Sequence, residues 1–330
     1  MSTNKNEDKK VLLKIRNLTK EFKLKTTKFG EKPQILHALN DVSVDVYEGE
    51  TLGVIGESGC GKSTFGKTLI QLHKATSGSV EYNGTDIFSL KGAELKALKK
   101  DIQMVFQDPY SSLDPRMTAA KLVEEPILVH GLIPDKKERG ERVLQLLREV
   151  GLDIHHAQRF PHEFSGGQRQ RINVARALSM NPKVIVCDEP VSALDVSVQA
   201  QVLNLFNRLQ KEYGLTYIFI SHDLGVIKHV SDRIAIMYLG RIVELCAAEK
   251  IYEDPLHPYT KALLSAIPTE SPFEKKERIV LKGEIPSPIG EQVGCPLAGR
   301  CPNCMERCRK EIPALKDRGD GHQVACFLYD

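Results

Sequence analysis

Residues 56–64 read Gly56, Glu57, Ser58, Gly59, Cys60, Gly61, Lys62, Ser63 and Thr64, the spacing G-x-x-x-x-G-K-S that wraps a triphosphate. The three glycines leave the backbone bare, so that its N–H groups can turn toward phosphate oxygens, while Lys62 adds a point charge and Ser63 offers a hydroxyl to Mg²⁺. A second set of chemistry sits at "VIVCDE", where Asp188 is placed to reach the Mg²⁺ shell and Glu189 to polarise a water for attack on the γ-phosphate. Gln107, after "IQMVF", offers a neutral amide to Mg²⁺ and that water, and His222, after "YIFIS", offers a ring that can contact the γ-phosphate and hold the water in line. A third set is Ser165, Gly166, Gly167 and Gln168, an N-cap followed by two residues without side chains, which is a second helix start open to an anion. One ATP cannot readily use two separate glycine-rich helix starts on one small domain. The second is therefore expected to face a nucleotide held by another subunit, with the protein dimerising around ATP.

The elements that must carry these residues are legible around them. "TLGVI" before the phosphate loop is apolar enough for a buried strand, and "STFGKTLIQLH" after it has helix composition, so a helix dipole points at the phosphate. Residues 11–50 read as strands, with "VSVDV" alternating apolar and polar, and "GSVEYNG" has hairpin chemistry. "LKGAELKALKKD" predicts a helix and "IQMVF" a short buried strand. From about 109 to 164 strand signals stop, and Val143, Leu146, Leu147 and Val150 recur at the spacing of a helix packed on one face, which predicts a helical insertion. "KVIVCDEP" and "TYIFISHD" are apolar runs of strand length that end in polar residues, as parallel strands do at a ligand-binding sheet edge. A boundary falls at "PTESPFEKKER", residues 268–278, where proline, serine and charge replace periodic apolar positions.

Composition bounds what the site serves. The chain has 330 residues, 41% hydrophobic and 27% charged, and its formal net charge of +3 is the small difference between 46 basic and 43 acidic side chains. That balance gives no electrostatic case for nucleic acid. No apolar run approaches a membrane span and "MSTNKNEDKK" lacks the apolar core of a secretory signal, which predicts a cytosolic chain. Five of the eight cysteines crowd into the C-terminal stretch, an arrangement that disulfides do not explain in a reducing compartment.

Taken in order, the phosphate loop, Gln107, "FSGGQ", "VIVCDE", "SALD" and His222 resemble the motifs of ATP-binding subunits of ABC transporters, over about residues 11–268. Phe164 replaces the leucine common in the signature, one apolar residue for another. The resemblance implies an α/β fold, a P-loop NTPase core with an antiparallel β subdomain and a helical insertion at about 109–164, binding ATP and Mg²⁺. It also implies that Phe22 in "LTKEF" stacks on adenine, against the alternative of a core phenylalanine. More narrowly, "GESGCGKST", "MVFQDPYSSLDPRMT", "HEFSGGQRQRI" and "DPLHPYTKALLSAIP" are similar to the dipeptide and oligopeptide importer branch. That likeness implies a peripheral protein on the cytoplasmic face of the membrane. Its implied partners are a paired ATPase subunit in a homo- or heterodimer, two permease subunits and an extracytoplasmic substrate-binding protein, and residues 108–130 are expected at the permease.

The tail, 269–330, is expected to be a small Cys-rich metal-binding segment, because five cysteines among prolines and charges with little apolar core need a staple to fold. Cys295, Cys301, Cys308 and Cys326 are spaced C-x5-C-x6-C-x17-C, and the resemblance implies that such a tail holds a 4Fe–4S cluster on four thiolates. Zinc is the alternative, with Cys301, Cys304, Cys308 and Cys326 or His322 completing a tetrahedron. Cys60 and Cys187 are read as small residues inside nucleotide motifs, and neither they nor Cys246 is assigned a ligand role. The functional expectation is an importer ATPase for di- or oligopeptides. Its alternatives are an importer ATPase for nickel or sugar, a soluble ABC ATPase of DNA repair or translation, and an iron–sulfur redox protein that binds ATP.

Overall fold

The computed structural model describes residues 10–24, 33–267, 277–290 and 292–330. Most of the boundary expected at 268–278 lies outside them. The chain forms two compact units, one of residues 1–48, 52–88 and 222–330, the other of residues 49–51 and 89–221.

In the first unit, β1 (Val11–Lys23) pairs antiparallel with β2 (Ile35–Tyr47) and with β4 (Ser77–Tyr82), and β5 (Thr85–Asp86) closes the sheet in the order β2-β1-β4-β5. Leu13, Ile15, Val42, Val44, Val46 and Val80 line its buried face. The β4–β5 turn is Asn83-Gly84, with φ of 49° and 82°, the left-handed pair that a tight hairpin demands. Between β2 and β4 run β3 (Thr51–Ile55), buried at every residue, and α1 (Lys62–Leu69).

The second unit begins with α2 (Gly92–Asp101) and β6 (Ile102–Val105), followed by α3 (Ala119–His130), α4 (Lys136–Glu149) and α5 (Gly166–Leu178). It ends with β7 (Val184–Asp188), α6 (Val196–Tyr213) and β8 (Thr216–Ser221). Its strands lie in the order β8-β7-β6 and are parallel, with β7 and β8 buried throughout, as expected of strands covered on both faces. The α4 stripe packs inward: Val143, Leu146, Leu147 and Val150 are all buried. Asp135 caps that helix by accepting the Glu138 N–H at 2.8 Å.

The chain then returns to the first unit with α7 (Leu224–Val230), β9 (Arg233–Tyr238), β10 (Arg241–Ala247), α8 (Ala248–Glu253) and α9 (Pro258–Ser265). The Cys-rich stretch is mostly irregular, with two short strands, β11 (Lys316–Asp317) and β12 (Gln323–Val324). Nothing in the sequence foretold how it is fixed: β12 adds antiparallel to β10, with Val324 opposite Glu244. At that junction the fully buried Glu244 carboxylate meets His322 Nε2 at 2.7 Å and accepts the backbone N–H groups of Leu256 and His257 at 2.7 and 2.9 Å. These bonds outweigh burial and hold the Glu244 pKa below its ordinary value.

His257 makes this corner sensitive to pH. Its Nδ1 caps α9 by accepting the Tyr259 N–H at 3.1 Å, which needs an unprotonated nitrogen. Burial at 2% exposure lowers its pKa from 6.5 to about 4, against the pull of Glu244. Between those two values the unfolded chain binds more protons than the folded one, so stability is full above about pH 6.5 and is lost as pH falls toward 4. A shift of this size is worth about 3 kcal/mol. His257→Asn keeps a capping acceptor without a titrating group, and should flatten the dependence of urea-unfolding free energy on pH between 6.5 and about 4. An unchanged slope in the variant would refute the assignment.

Candidate nucleotide site

In the first unit the phosphate loop connects β3 to α1, and its glycines are there for two different reasons. A Cβ on Gly56 would lie 2.1 Å from the Met237 carbonyl oxygen, and one on Gly61 would lie 2.3 Å from that of Ala38. Both positions are closed by the protein's own backbone. Gly59 has open space around it but a φ of +79°, so it is required by the turn. Lys62 is 4% exposed, and its Nζ donates to the carbonyl oxygens of Gly56 at 2.8 Å and Glu57 at 3.0 Å, which folds the ammonium over the mouth of the loop. Cys60 is buried in the loop wall, and burial raises its thiol pKa, in keeping with a packing role. Ser58 and Gly59 are exposed, and Ser63 and Thr64 half-buried, at the start of α1.

Phe22 is half-buried, with Lys20 Nζ 4.7 Å from its ring centre and the His73 ring edge-on at 5.3 Å. It is no core residue, and stacking on adenine stays open to it as a proposal. His222 is exposed at the head of this unit's return segment.

In the second unit Asp188 is the buried last residue of β7 and Glu189 follows it at φ +46°, a left-handed conformation that costs a non-glycine residue about 1–3 kcal/mol. The turn is fixed by the Glu189 N–H donating to Ile220 O at 2.9 Å and by Ser192 Oγ donating to Glu189 O at 3.0 Å. Gln107 Nε2 donates to Glu189 Oε2 at 2.8 Å, so the two side chains expected to share one water are in direct contact across 82 residues of sequence.

The signature stretch opens α5 with a reciprocal cap. Ser165 Oγ accepts the Gln168 N–H at 3.3 Å and Gln168 Oε1 accepts the Ser165 N–H at 3.0 Å. Ser165 and Gly166 are exposed, whereas Gly167 is buried and a Cβ there would sit 2.3 Å from Val198 Cγ1. Sequence reasoning gave both glycines to phosphate access; the close approach of α5 to α6 also demands a glycine at Gly167. Asp195 caps α6 by accepting the Val198 N–H at 3.0 Å.

In the tail, Cys295, Cys301, Cys308 and Cys326 line one small cavity, and Cys304 does not. Burial pushes Cys295 up to about 11 and raises Cys301 and Cys326, with the neighbouring sulfurs adding to the effect. Among the described residues no group of three or more His, Cys, Asp or Glu is closed up around a metal position, so the metal-binding character expected of this segment is not shown by the geometry. Of the zinc alternative's donors, Cys304 does not line this cavity, and His322 has its Nε2 against Glu244 at 2.7 Å.

One contact escaped sequence reasoning altogether. Arg300 of the tail pairs with Glu57 of the phosphate loop, Nη1 to Oε2 at 2.9 Å and Nη2 to Oε1 at 3.3 Å. The only signal for it was a carboxylate in a loop meant for phosphate, which calls for a counter-cation.

The sequence matches the ABC transporter family over residues 39–192 and the oligopeptide/dipeptide transporter C-terminal region over residues 243–308. It is 50% identical over 325 residues to the oligopeptide transport ATP-binding protein AppF of Bacillus subtilis, covering 98% of each chain. The chain belongs to the ABC transporter family. A second relative in this family, the oligopeptide transport ATP-binding protein OppF of Escherichia coli, is 49% identical over 328 residues, again covering 98% of both chains. Among solved structures, an ATP-binding cassette in a dimeric post-hydrolysis state with ADP and Pi aligns with TM-score 0.63 and 33% identity, over 72% of this chain and 98% of that one. As an ABC family ATPase the chain hydrolyses ATP, and the α/β architecture with its antiparallel sheet and helices is that of the family.

Proposed function

We propose that this ABC ATPase energises the uptake of di- or oligopeptides, working on the cytoplasmic face of the membrane as a peripheral subunit. Among the described residues no helix is long and apolar enough to cross a membrane. The observation that carries the reading is that near full-length identity of about half joins the ATPase motifs and the C-terminal region to oligopeptide and di/tripeptide transport proteins. On this reading residues 1–268 are the ATPase domain and 269–330 a C-terminal region, and the chain dimerises around ATP with a paired ATPase under two permeases fed by a binding protein. Gly56 to Thr64 hold the phosphates, Ser63, Gln107 and Asp188 serve Mg²⁺, Glu189 and His222 serve the attacking water, and Phe22 stacks on adenine. Ser165 to Gln168 close on the partner's nucleotide. Within the stretch 108–130, Tyr110, Leu128 and Val129 are exposed and offer apolar surface that a permease helix would cover. Deleting the gene should abolish uptake of labelled di- and hexapeptides and spare nickel and sugar uptake, and loss of only nickel or sugar would reassign the substrate.

We further propose that Cys295, Cys301, Cys308 and Cys326 hold a 4Fe–4S cluster. The support is the donor set: four thiols line one cavity, burial together with the neighbouring sulfurs raises the pKa of Cys295, Cys301 and Cys326, and a cationic centre relieves that by taking the donors as thiolates. Protein purified without oxygen should then be brown, with about four iron and four sulfide per chain, lost on replacing any of the four and kept in Cys304→Ser. Stoichiometric zinc without sulfide would reject the cluster in favour of a zinc site.

A further inference from the structure

Glu57 is held from every side. Its N–H donates to the hydroxyl of the buried Tyr259 at 2.9 Å, and its carbonyl accepts Lys62 Nζ at 3.0 Å and the Cys60 N–H at 3.2 Å. Its carboxylate takes both terminal nitrogens of Arg300, in the parallel two-bond geometry that makes a guanidinium–carboxylate pair strong and directional. Arg300 is 10% exposed and Glu57 26%, so the pair is shielded from solvent, and Nη1 also reaches Tyr238 Oη at 3.3 Å. The guanidinium is delivered by a turn in which the N–H groups of Arg300 and Cys301 both donate to Leu297 O at 2.8 Å. The next side chain along, Cys301, lines the cysteine cavity.

A carboxylate in a loop that wraps a triphosphate opposes its ligand unless its charge is cancelled, and a loop whose shape depends on that side chain needs it fixed. Arg300 does both from 243 residues away. We propose that Arg300, carried by the Cys-rich segment, is a positioning residue for the phosphate loop that sets nucleotide affinity by neutralising and holding Glu57. The inference rests on the reading of residues 56–64 as the phosphate site. It gives the tail a hold on the phosphate loop, and through the loop on the nucleotide, apart from any metal it carries.

The test is ATP and ADP affinity of the full-length protein by equilibrium binding, with steady-state kinetics alongside. Arg300→Ala should weaken both nucleotides about 10-fold, about 1.4 kcal/mol at 1.4 kcal/mol per factor of ten, raising KM much more than it lowers kcat. Arg300→Lys, which keeps the charge and loses the paired geometry, should fall between. Adding Glu57→Gln to Arg300→Ala removes the uncancelled charge and should recover most of the affinity, a rescue that a merely structural role would not give. Wild-type affinity in Arg300→Ala and Arg300→Lys, or a loss that Glu57→Gln does not repair, would overturn the inference. Lys62→Ala in the same assay separates the two claims: if it alone weakens binding, the phosphate-loop reading stands and the Arg300 role is rejected. If Lys62→Ala binds as wild type, both fall.

Discussion

Glu189→Gln is expected to bind ATP as the wild type does and to lose turnover by about 10² to 10⁴, the range that general-base or water-orienting groups contribute. The loss should be confined to chemistry. Glu189 sits at the end of β7, in the second unit, while the phosphate loop with Lys62 is built wholly within the first. The substitution is nearly isosteric, and the amide oxygen of the introduced glutamine can still accept from Gln107 Nε2, now 2.8 Å from the Glu189 carboxylate, so the strained turn at φ +46° need not relax. What disappears is the charge proposed to polarise water. If the chain dimerises around ATP as proposed, slow hydrolysis prolongs the closed state, and the variant should elute as a dimer with ATP and as a monomer with ADP. Phosphate release near the wild-type rate would show that Glu189 is not the water-activating group.

Those parts of the candidate site that are local in the chain were legible as strand, turn and helix start. A strand, a sharp turn and a helix start are written around the nine residues 56–64, and the strand with its terminal acids within six at 184–189. The Gln107–Glu189 contact follows once β6 and β7 are neighbours in register, Val105 opposite Cys187, because both side chains then leave the same end of the sheet. What could not be read are the links that only the folded chain creates. Gly167 is spoken for by Val198, thirty-one residues on, and Arg300 by Glu57. The tail's attachment depends on a two-residue pairing of Gln323 and Val324 with β10 and on a buried Glu244–His322 contact, neither of which has periodicity or composition to betray it. The cysteines are the intermediate case: the family resemblance marked four of the five for one site, and those four do share a cavity, yet neither the resemblance nor the spacing states what the cavity holds.

Ser165→Arg is expected to leave ATP affinity of the isolated chain unchanged and to abolish dimer closure and hydrolysis. Ser165 and Gly166 are exposed at the first turn of α5, where the helix presents unpaired N–H groups, and an arginine there covers them with a long side chain. The substitution also removes the Oγ that accepts the Gln168 N–H, which costs about 0.5–2 kcal/mol of helix-cap stability, so Ser165→Ala serves as the control for the cap alone. If the start of α5 acts on the other subunit's nucleotide, a defective signature and a defective phosphate loop should complement each other. Ser165→Arg protein mixed with Lys62→Ala protein forms dimers in which the intact loop of one chain faces the intact signature of the other. At equal amounts and random pairing about half the dimers are mixed, each with one working site of two, so about a quarter of wild-type turnover should return where each variant alone has almost none. Turnover should rise and fall with the mixing ratio and peak at equal amounts, which distinguishes shared sites from contamination by active enzyme. No recovery at any ratio would mean that the exposed start of α5 does not work in trans.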